Sequence, residues 1–326
     1  MMFRDLVLGI LFLIEMGVGI LGNFFLLGLY SFTLFIGQRL RPRECIFAHL
    51  ALANSEVLLS KGIPQTIACL GIKNFLDHVG CKITICTQNV ARSVSLSITC
   101  LLSGFQIITI SPSNSKWAEL KPKAQKCIVP SCFLCWCFYL LINFTLLGTM
   151  NNSRYLTNNT KMWYLGYCST LTPSSFNAAL FAIVFSIPDI MCVGFMIWAS
   201  AYLVFLLHRH HQQVKHIHNS HLSLKVFPEK RATHAVLLLV STYVSFYSIN
   251  SILSFYFFQK DKHQPWFVAI LDLLASWFPA LCPFMLIFFD HQIGKFCYAL
   301  WHRRCFLLLC YALLNPCSSQ NSASIM

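Results

Sequence analysis

Long apolar runs separated by short polar segments organise the whole chain. A run of roughly 20 mainly apolar residues is long enough to cross about 30 Å of hydrocarbon as an α-helix. Seven such runs occur, at 6–36, 46–70, 83–110, 127–147, 176–207, 232–258 and 265–289. The pattern predicts an all-α membrane protein, in which residues 1–326 form a single domain, a seven-transmembrane-helix bundle with a short C-terminal tail at 290–326.

The two ends of the chain each carry an apolar stretch that needs a separate interpretation. The first run contains Glu15 and has no small-residue cleavage site, so it indicates a retained helix and not a signal peptide. Only five residues precede that run, and we therefore expect any ligand to enter the bundle itself. The stretch at 306–314 is too short to cross, and we expect it to lie on the membrane surface or to pack on the bundle.

Composition and charge agree with a membrane protein. Charged residues make up 11% of the chain and hydrophobic residues 56%, whereas soluble proteins carry about 25% charged residues. The net charge of +13 is spread in short clusters between the apolar runs, as expected for loops that face an anionic leaflet. This distribution favours contact with membrane lipid and argues against nucleic-acid binding.

Lysine and arginine also predict the orientation of the bundle. With the N-terminus outside and the C-terminus inside, 15 of the 24 basic residues fall in inner segments and seven in outer ones, which follows the positive-inside rule. The acceptor sequons at Asn151 and Asn158 then lie in an outer loop, where glycosylation is possible. A third match, at Asn143, lies inside a span and should be unreachable.

Cysteine and histidine are abundant but do not form metal motifs. Most of the 16 cysteines lie inside apolar runs, where they act as small hydrophobic residues. The segment 208–234 carries seven histidines in a lysine-rich setting without cysteine. The chain also lacks a nucleophile–base pair and a glycine-rich phosphate loop. We therefore predict no enzyme, no cofactor and no metal site.

Ionisable residues inside the spans are candidates for function, because a charge in hydrocarbon is costly. Arg92 lies eleven residues past Cys81, which places it about 16 Å along the third helix. Its guanidinium requires an anionic or carbonyl partner, and Asp189 is the candidate. The predicted ligand-binding set is Gln88, Asn89, Arg92, Asp189, Asn250 and Asp272. The alternative is a structural Arg92–Asp189 ion pair, and the two roles are compatible.

Two further ionisable residues, Glu15 and Glu56, also lie inside spans. Glu15 and Glu56 are either buried switches or face water-filled crevices.

Several strings carry a family resemblance. GILGNFFLL at 19–27 is similar to the first helix of rhodopsin-like receptors, and Asn54 stands where those receptors usually have aspartate. The third run ends in ITISPSNSKWA at 108–118 in place of Asp-Arg-Tyr. Together with LHRHHQQVKHIHNSHLS at 207–223, PEKRATHAVLLLVSTYVSFY at 228–247 and PFMLIFFDHQIGKF at 283–296, this pattern closely resembles the vomeronasal type-1 receptors. The absence of Cys-Trp-x-Pro and Asn-Pro-x-x-Tyr fits the same family.

The resemblance implies a pheromone or chemosignal receptor of the plasma membrane. It would bind a small molecule within the bundle and activate a heterotrimeric G protein of the inhibitory class. Bitter-taste receptors are the nearest alternative, and a transporter is the competing class. Pro112 should stop the third helix. The residues that would face the G protein are Ser111, Pro112, Lys116, Lys121, Lys230 and Arg231, although basic residues there could also serve only topology and lipid contact.

The resemblance to receptors also implies a disulfide between the third helix and the second outer loop. Cys81 and Cys168 stand at the two expected places, and an oxidising compartment allows such a bond to form. Cys86 is the alternative partner from the third helix.

The predicted orientation can be tested by thiol labelling of intact cells. A membrane-impermeant maleimide should label a Ser153→Cys variant directly, and should label Thr233→Cys only after the cells are permeabilised. The unsubstituted chain gives the background. Labelling in the reverse order would contradict the orientation.

Overall fold

Seven long α-helices dominate the computed structural model, which describes residues 3–72, 75–111, 116–150, 162–164, 167, 169–171, 175–217, 227–259 and 265–289. The helices are α1 (Phe3–Phe35), α2 (Pro42–Cys69), α3 (His78–Ile110), α4 (Lys116–Met150), α5 (Ser175–Ile217), α6 (Phe227–Gln259) and α7 (Pro265–Phe289). Between α4 and α5, β1 (Met162–Tyr164) and β2 (Ser169–Leu171) form a two-stranded antiparallel ribbon. The predicted seven-helix fold is confirmed, with this small ribbon as an addition.

Six of the seven described helices are long and apolar enough to cross a membrane, and α2 is the exception. The reason is its polar content, which includes the buried residues Asn54, Ser55 and Gln65. Because α2 contacts α1, α3, α4 and α7, these side chains are enclosed by other helices and not by lipid. Its weaker hydropathy thus reflects an interior position in the bundle.

Several helices extend beyond the apolar runs that predicted them. The structure starts α4 at Lys116 where the sequence suggested 127, and ends α5 at Ile217 where it suggested 207. The apolar run marks only the part of a helix that crosses hydrocarbon. Lysine, glutamate and glutamine are good helix formers, so they continue the helix into water. The polar segment before the fourth apolar run is therefore helical from Lys116 onwards.

Local chemistry sets both ends of α3. Asp77 precedes the helix, and its Oδ1 accepts a hydrogen bond from the backbone N–H of Gly80 at 2.8 Å, which is an N-cap that satisfies a free donor. The cap explains why α3 begins before the apolar run at 83. At the other end, Ser111 has an extended backbone with ψ 138°. This is the conformation favoured before a proline, here Pro112, and the predicted end of the helix is confirmed.

The centre of the bundle is α3. It contacts α2, α4, α5 and α6 and is the most buried of the six spans. Val94, Leu96, Ile98 and Leu102 are fully enclosed in the main core. The outer helices instead expose large apolar side chains such as Phe24, Leu134, Phe144, Ile190 and Phe205. Exposed surface of this kind requires lipid as its solvent.

Glycine allows α1 to lie directly against α7. A Cβ atom added at Gly19 would stand 2.8 Å from the Cα of Ala280, and one added at Gly22 would stand 2.8 Å from Pro283 Cγ. Both distances are too short for real atoms. Small residues are common where helices pack closely in membranes, and here they bring the two backbones together.

That close approach positions a hydrogen bond between the same two helices. Pro283 has no N–H, so the carbonyl of Pro279 loses its usual partner within α7. Asn23 Nδ2 donates to that carbonyl at 3.0 Å and to the carbonyl of Gly19 at 2.8 Å. In hydrocarbon a backbone carbonyl without a partner is costly. Asn23 therefore replaces the bond that the proline removes.

Substitution of Gly19 should destabilise the bundle. We expect Gly19→Ala to lower the free energy of unfolding by about 1–3 kcal/mol through overpacking, measured by thermal unfolding of the detergent-solubilised protein. Gly17→Ala is the matched control, because nothing lies within 4 Å of its added Cβ. The control should be neutral or stabilising, since alanine favours a helix over glycine. Equal behaviour of the two variants would contradict the close α1–α7 packing.

Candidate functional site

An ion pair joins α3 to α5 in the middle of the bundle. Arg92 Nη2 lies 2.8 Å from Asp189 Oδ2, and only 4% of the Asp189 side chain is exposed. The hydroxyl of Tyr247, on α6, donates a hydrogen bond to the same oxygen at 3.2 Å. Three helices thus converge on one buried carboxylate. The pair that the sequence suggested for Arg92 is present in the structure.

A second ion pair joins α2 to α7. Lys61 Nζ lies 3.3 Å from Asp272 Oδ1. Lys61 is not among the residues predicted to bind ligand, although the cost of a charge in hydrocarbon applies to it as much as to Arg92. The same reasoning would have marked Lys61 as a candidate, but its partner on a distant helix is visible only in the structure.

Both cations line one cavity between α2, α3, α6 and α7. Its volume is about 50 Å³, which leaves room for a few water molecules. Aromatic rings of α6 and α7 form much of its wall, and Tyr243 meets Phe278 edge-on with ring centroids 4.5 Å apart. The lining residues are Val57, Lys61, Arg92, Ser95, Tyr243, Phe246, Tyr247, Asn250, Ala275, Phe278 and Pro279.

Two of the six predicted ligand residues, Arg92 and Asn250, line this cavity directly. Asn250 Oδ1 is buried and has no hydrogen-bond partner among the described residues. A buried acceptor in that state is costly, so it favours a donor from water or from a ligand. Asp189 and Asp272 do not line the cavity but pair with the two cations that do.

The remaining two predicted residues, Gln88 and Asn89, do not line the cavity. Gln88 Nε2 donates to the carbonyl of Ser60 at 2.7 Å and to the hydroxyl of Tyr167 at 3.3 Å. It therefore ties α3 to α2 and to the loop between α4 and α5. Asn89 is half-buried. Helical spacing placed both residues near Arg92 but did not determine which side chains face the cavity.

The loop before α5 is anchored on the start of α3. Tyr167 is buried and packs with Cys81 and Ala68, and its carbonyl accepts a hydrogen bond from the N–H of Leu76 at 3.4 Å. Cys81 is disulfide-bonded, whereas Cys86, the alternative partner, has a free thiol. Cys168 lies outside the described residues, so the Cys81–Cys168 pairing stays a prediction.

The two glutamates inside the spans differ in their surroundings. Both carboxylate oxygens of Glu15 are buried without a hydrogen-bond partner among the described residues. Glu56 is half-buried. Glu15 thus fits the buried alternative, whereas Glu56 is only partly enclosed.

The predicted inner face is described only in part. The Ser111 hydroxyl donates to the carbonyl of Ile107 at 2.8 Å, so it turns back onto its own helix. Lys121 is exposed, and its Nζ donates to the carbonyl of Thr109 at 3.0 Å. Pro112, Asn151 and Asn158 lie outside the described residues, and the structure describes only the backbone at Lys116, Lys230 and Arg231.

The α3–α5 ion pair can be tested by a double-mutant cycle. Arg92→Gln and Asp189→Asn should each destabilise the protein by about 3–5 kcal/mol, because each leaves a charge without its partner in the bundle. The double variant should lose much less stability than the sum of the two single losses, since both charges are then absent. Thermal unfolding in detergent measures all three variants. Additive losses would show that the two side chains do not stabilise each other.

The helix arrangement is similar to that of a known receptor structure. The crystal structure of squid rhodopsin matches with a TM-score of 0.63 over 94% of this chain and 87% of rhodopsin. The sequence identity is 14%, so this likeness shows the fold alone.

Sequence comparisons identify the family. A model of the vomeronasal organ pheromone receptor family matches residues 6–299. Vomeronasal type-1 receptor 1 of Homo sapiens is 44% identical over 299 residues, which cover 92% of this chain and 84% of that protein. Olfactory receptor class A-like protein 1 of Danio rerio is 31% identical, over 86% of this chain and 88% of its own. These matches confirm the resemblance seen in the motifs and decide against the bitter-taste and transporter alternatives. The chain belongs to the vomeronasal organ pheromone receptor family, and is therefore a multi-pass membrane receptor with the fold of G-protein-coupled receptors and not an enzyme.

Proposed function

We propose that this receptor binds a small chemosignal in the cavity beside Arg92 and Lys61 and then activates a heterotrimeric G protein of the inhibitory class. The N-terminus lies outside the plasma membrane in this proposal. The observation that carries it is the cavity itself, because two ion pairs at its edge connect α3 with α5 and α2 with α7. A molecule entering there contacts the groups that fix four helices relative to one another.

The ligand must offer polar groups as well as apolar surface. Arg92 uses Nη2 for Asp189, and a guanidinium has five N–H donors, so donors remain for an acceptor on the ligand. Asn250 Oδ1 requires a donor in return. The rings of Tyr243, Phe246 and Phe278 supply the apolar wall. A small molecule with one acceptor and one donor on an apolar frame fits this lining.

The small volume of the cavity links binding to a change of helix packing. A space of about 50 Å³ is too small for a molecule of many heavy atoms. A ligand of that size binds better to a helix packing in which α6 stands further from α3. Binding therefore shifts the population of receptor molecules towards that packing. The Tyr247–Asp189 hydrogen bond, which connects α6 with α5, is the contact most directly strained by this movement.

Movement of α6 reaches the inner end of the bundle through the helix itself. α5 and α6 both continue beyond their apolar runs, so their inner ends project towards the water on that side. Lys121, Lys230 and Arg231 supply positive charge at this end. We infer that the G protein contacts this surface when the helices separate.

The proposal predicts how cavity variants respond to a ligand. A chemosignal found by screening should drive nucleotide exchange on a purified inhibitory-class G protein by the reconstituted receptor. Asn250→Ala should then lower ligand sensitivity by about three- to tenfold through loss of one hydrogen bond. Arg92→Ala should lower it by about tenfold or more, because charged hydrogen bonds are stronger. Asn89→Ala is the control, since this residue is of the same type and does not line the cavity.

Each part of the proposal has its own contradicting result. Unchanged sensitivity of both Arg92→Ala and Asn250→Ala, in receptors that reach the cell surface, would remove the cavity from the binding site. Exchange only on a stimulatory-class G protein would contradict the inhibitory class. Failure of the ligand to drive exchange on any G protein, with receptor that binds the ligand, would contradict the proposed coupling.

A further inference from the structure

A second cavity lies at the opposite end of the bundle from Tyr167, where α2 begins and α3 ends. Its volume is about 280 Å³. It is surrounded by residues just before and within the first turn of α2, by the last turns of α3 and by one side of α4. The lining residues are Arg41, Pro42, Arg43, Phe105, Gln106, Thr109, Ile110 and Gln125. We refer to this space as the basic cavity.

The basic cavity carries positive charge that its own lining does not neutralise. This lining contains Arg41 and Arg43 and no carboxylate. The neighbouring Glu44 uses Oε2 to accept a hydrogen bond from the backbone N–H of Arg41 at 2.7 Å, so it caps α2. Neither guanidinium is within 4.0 Å of a carboxylate in the part of the chain that the structure describes.

Further donors surround the two arginines. Gln106 and Gln125 contribute amide groups from α3 and α4. Lys121 lies at the edge of the cavity, because its Nζ donates to the carbonyl of the lining residue Thr109. The start of α2 adds the positive end of a helix dipole. Guanidinium groups bind phosphate or carboxylate with two parallel hydrogen bonds, so this set of donors favours an anion over a neutral ligand. A phosphate monoester has three terminal oxygens and more negative charge than a carboxylate, so it can accept from more of these donors.

The depth of the cavity in the membrane points to a lipid as the source of that phosphate. The lining residues flank the ends of the apolar runs at 46, 110 and 127, which is the level of the lipid headgroups. An apolar groove of about 340 Å³ adjoins the cavity and shares Phe105 with it. Gly104, Ile108 and Phe195 are among its lining residues, and such a surface suits a hydrocarbon chain.

We propose that the basic cavity binds the phosphorylated headgroup of an anionic phospholipid. In the predicted orientation this end lies at the inner leaflet, where anionic lipids are concentrated and where basic pockets between helices bind phosphorylated headgroups. The lipid bridges α2, α3 and α4 and so stabilises the ends of helices next to the surface proposed for the G protein. This site is separate from the cavity at Arg92 and does not depend on which chemosignal or G protein the receptor uses.

Lipid binding by matched charge variants tests the proposal. The full-length receptor is placed in phosphatidylcholine nanodiscs, and binding of fluorescent phosphatidylinositol bisphosphate is measured by energy transfer. Arg41→Gln with Arg43→Gln should weaken binding by about a hundredfold, because each substitution removes charged hydrogen bonds to the phosphate. Arg39→Gln with Lys126→Gln removes the same charge from the same end of the bundle, but neither residue lines the cavity. This control should weaken binding by at most about fivefold.

Two further arms keep the test decisive. Gln125 is exposed on α4, so Gln125→Glu leaves the fold intact while placing a carboxylate in the lining, and it should weaken binding by about five- to tenfold. Soluble inositol trisphosphate, which lacks acyl chains, should compete poorly with the lipid. Equal losses in the two charge-matched double variants, or no loss with Gln125→Glu, would overturn the site. Displacement of the lipid by an equal concentration of the soluble headgroup would overturn its assignment to a phospholipid.

Discussion

Hydrocarbon offers no hydrogen bonds, and this constraint shapes every level of the receptor. The backbone satisfies its own polar groups by forming helices. Small hydroxyl side chains follow the same rule, since Ser55, Thr99 and Ser103 each donate to a carbonyl one turn earlier in their own helix. Some polar groups that are not satisfied within one helix are stabilised by a partner on another, as Asn23, Arg92 and Ser95 are. These contacts, together with the apolar core and the close approach of α1 to α7, hold the seven helices in place.

These contacts are concentrated around α3. Its N-terminal half carries Gln88, which reaches α2 and the loop before α5. Its middle carries Arg92, which pairs with α5, and Ser95, which donates to Asn54 of α2 at 2.8 Å. Its C-terminal end closes at Ser111, beside the basic cavity. One helix therefore connects the place proposed for ligand, the ion pairs, and the surface proposed for lipid and G protein.

The use of ion pairs for helix contacts also explains how such a bundle can respond to a small molecule. An apolar group of a ligand gains little free energy when it moves from lipid to an apolar protein surface, because the two environments are equally apolar. A charge in a nearly dry site depends strongly on its partner. A ligand that competes for Arg92, or that displaces Tyr247, changes the balance between two packings of α3, α5 and α6. In the proposed mechanism the same residues therefore have both a stabilising and a responsive role.

The sequence alone determined the properties that depend on local composition. The number of helices, their approximate positions and the family resemblance follow from apolar runs and short strings, because the crossing of hydrocarbon depends on each segment by itself. Helix ends were less predictable, since α4 and α5 continue into polar segments. There, caps and helix propensity determine where the helix begins or ends.

The cavity required the tertiary structure. Lys61, Arg92 and Asn250 line it while Asn89 does not. The partner of Lys61 is Asp272, a residue 211 positions away in the chain. Which side chains face the same space depends on the rotation and the spacing of packed helices. That geometry is set jointly by all the contacts of the bundle, such as the close approach at Gly19 and Gly22, and no single stretch of sequence contains it.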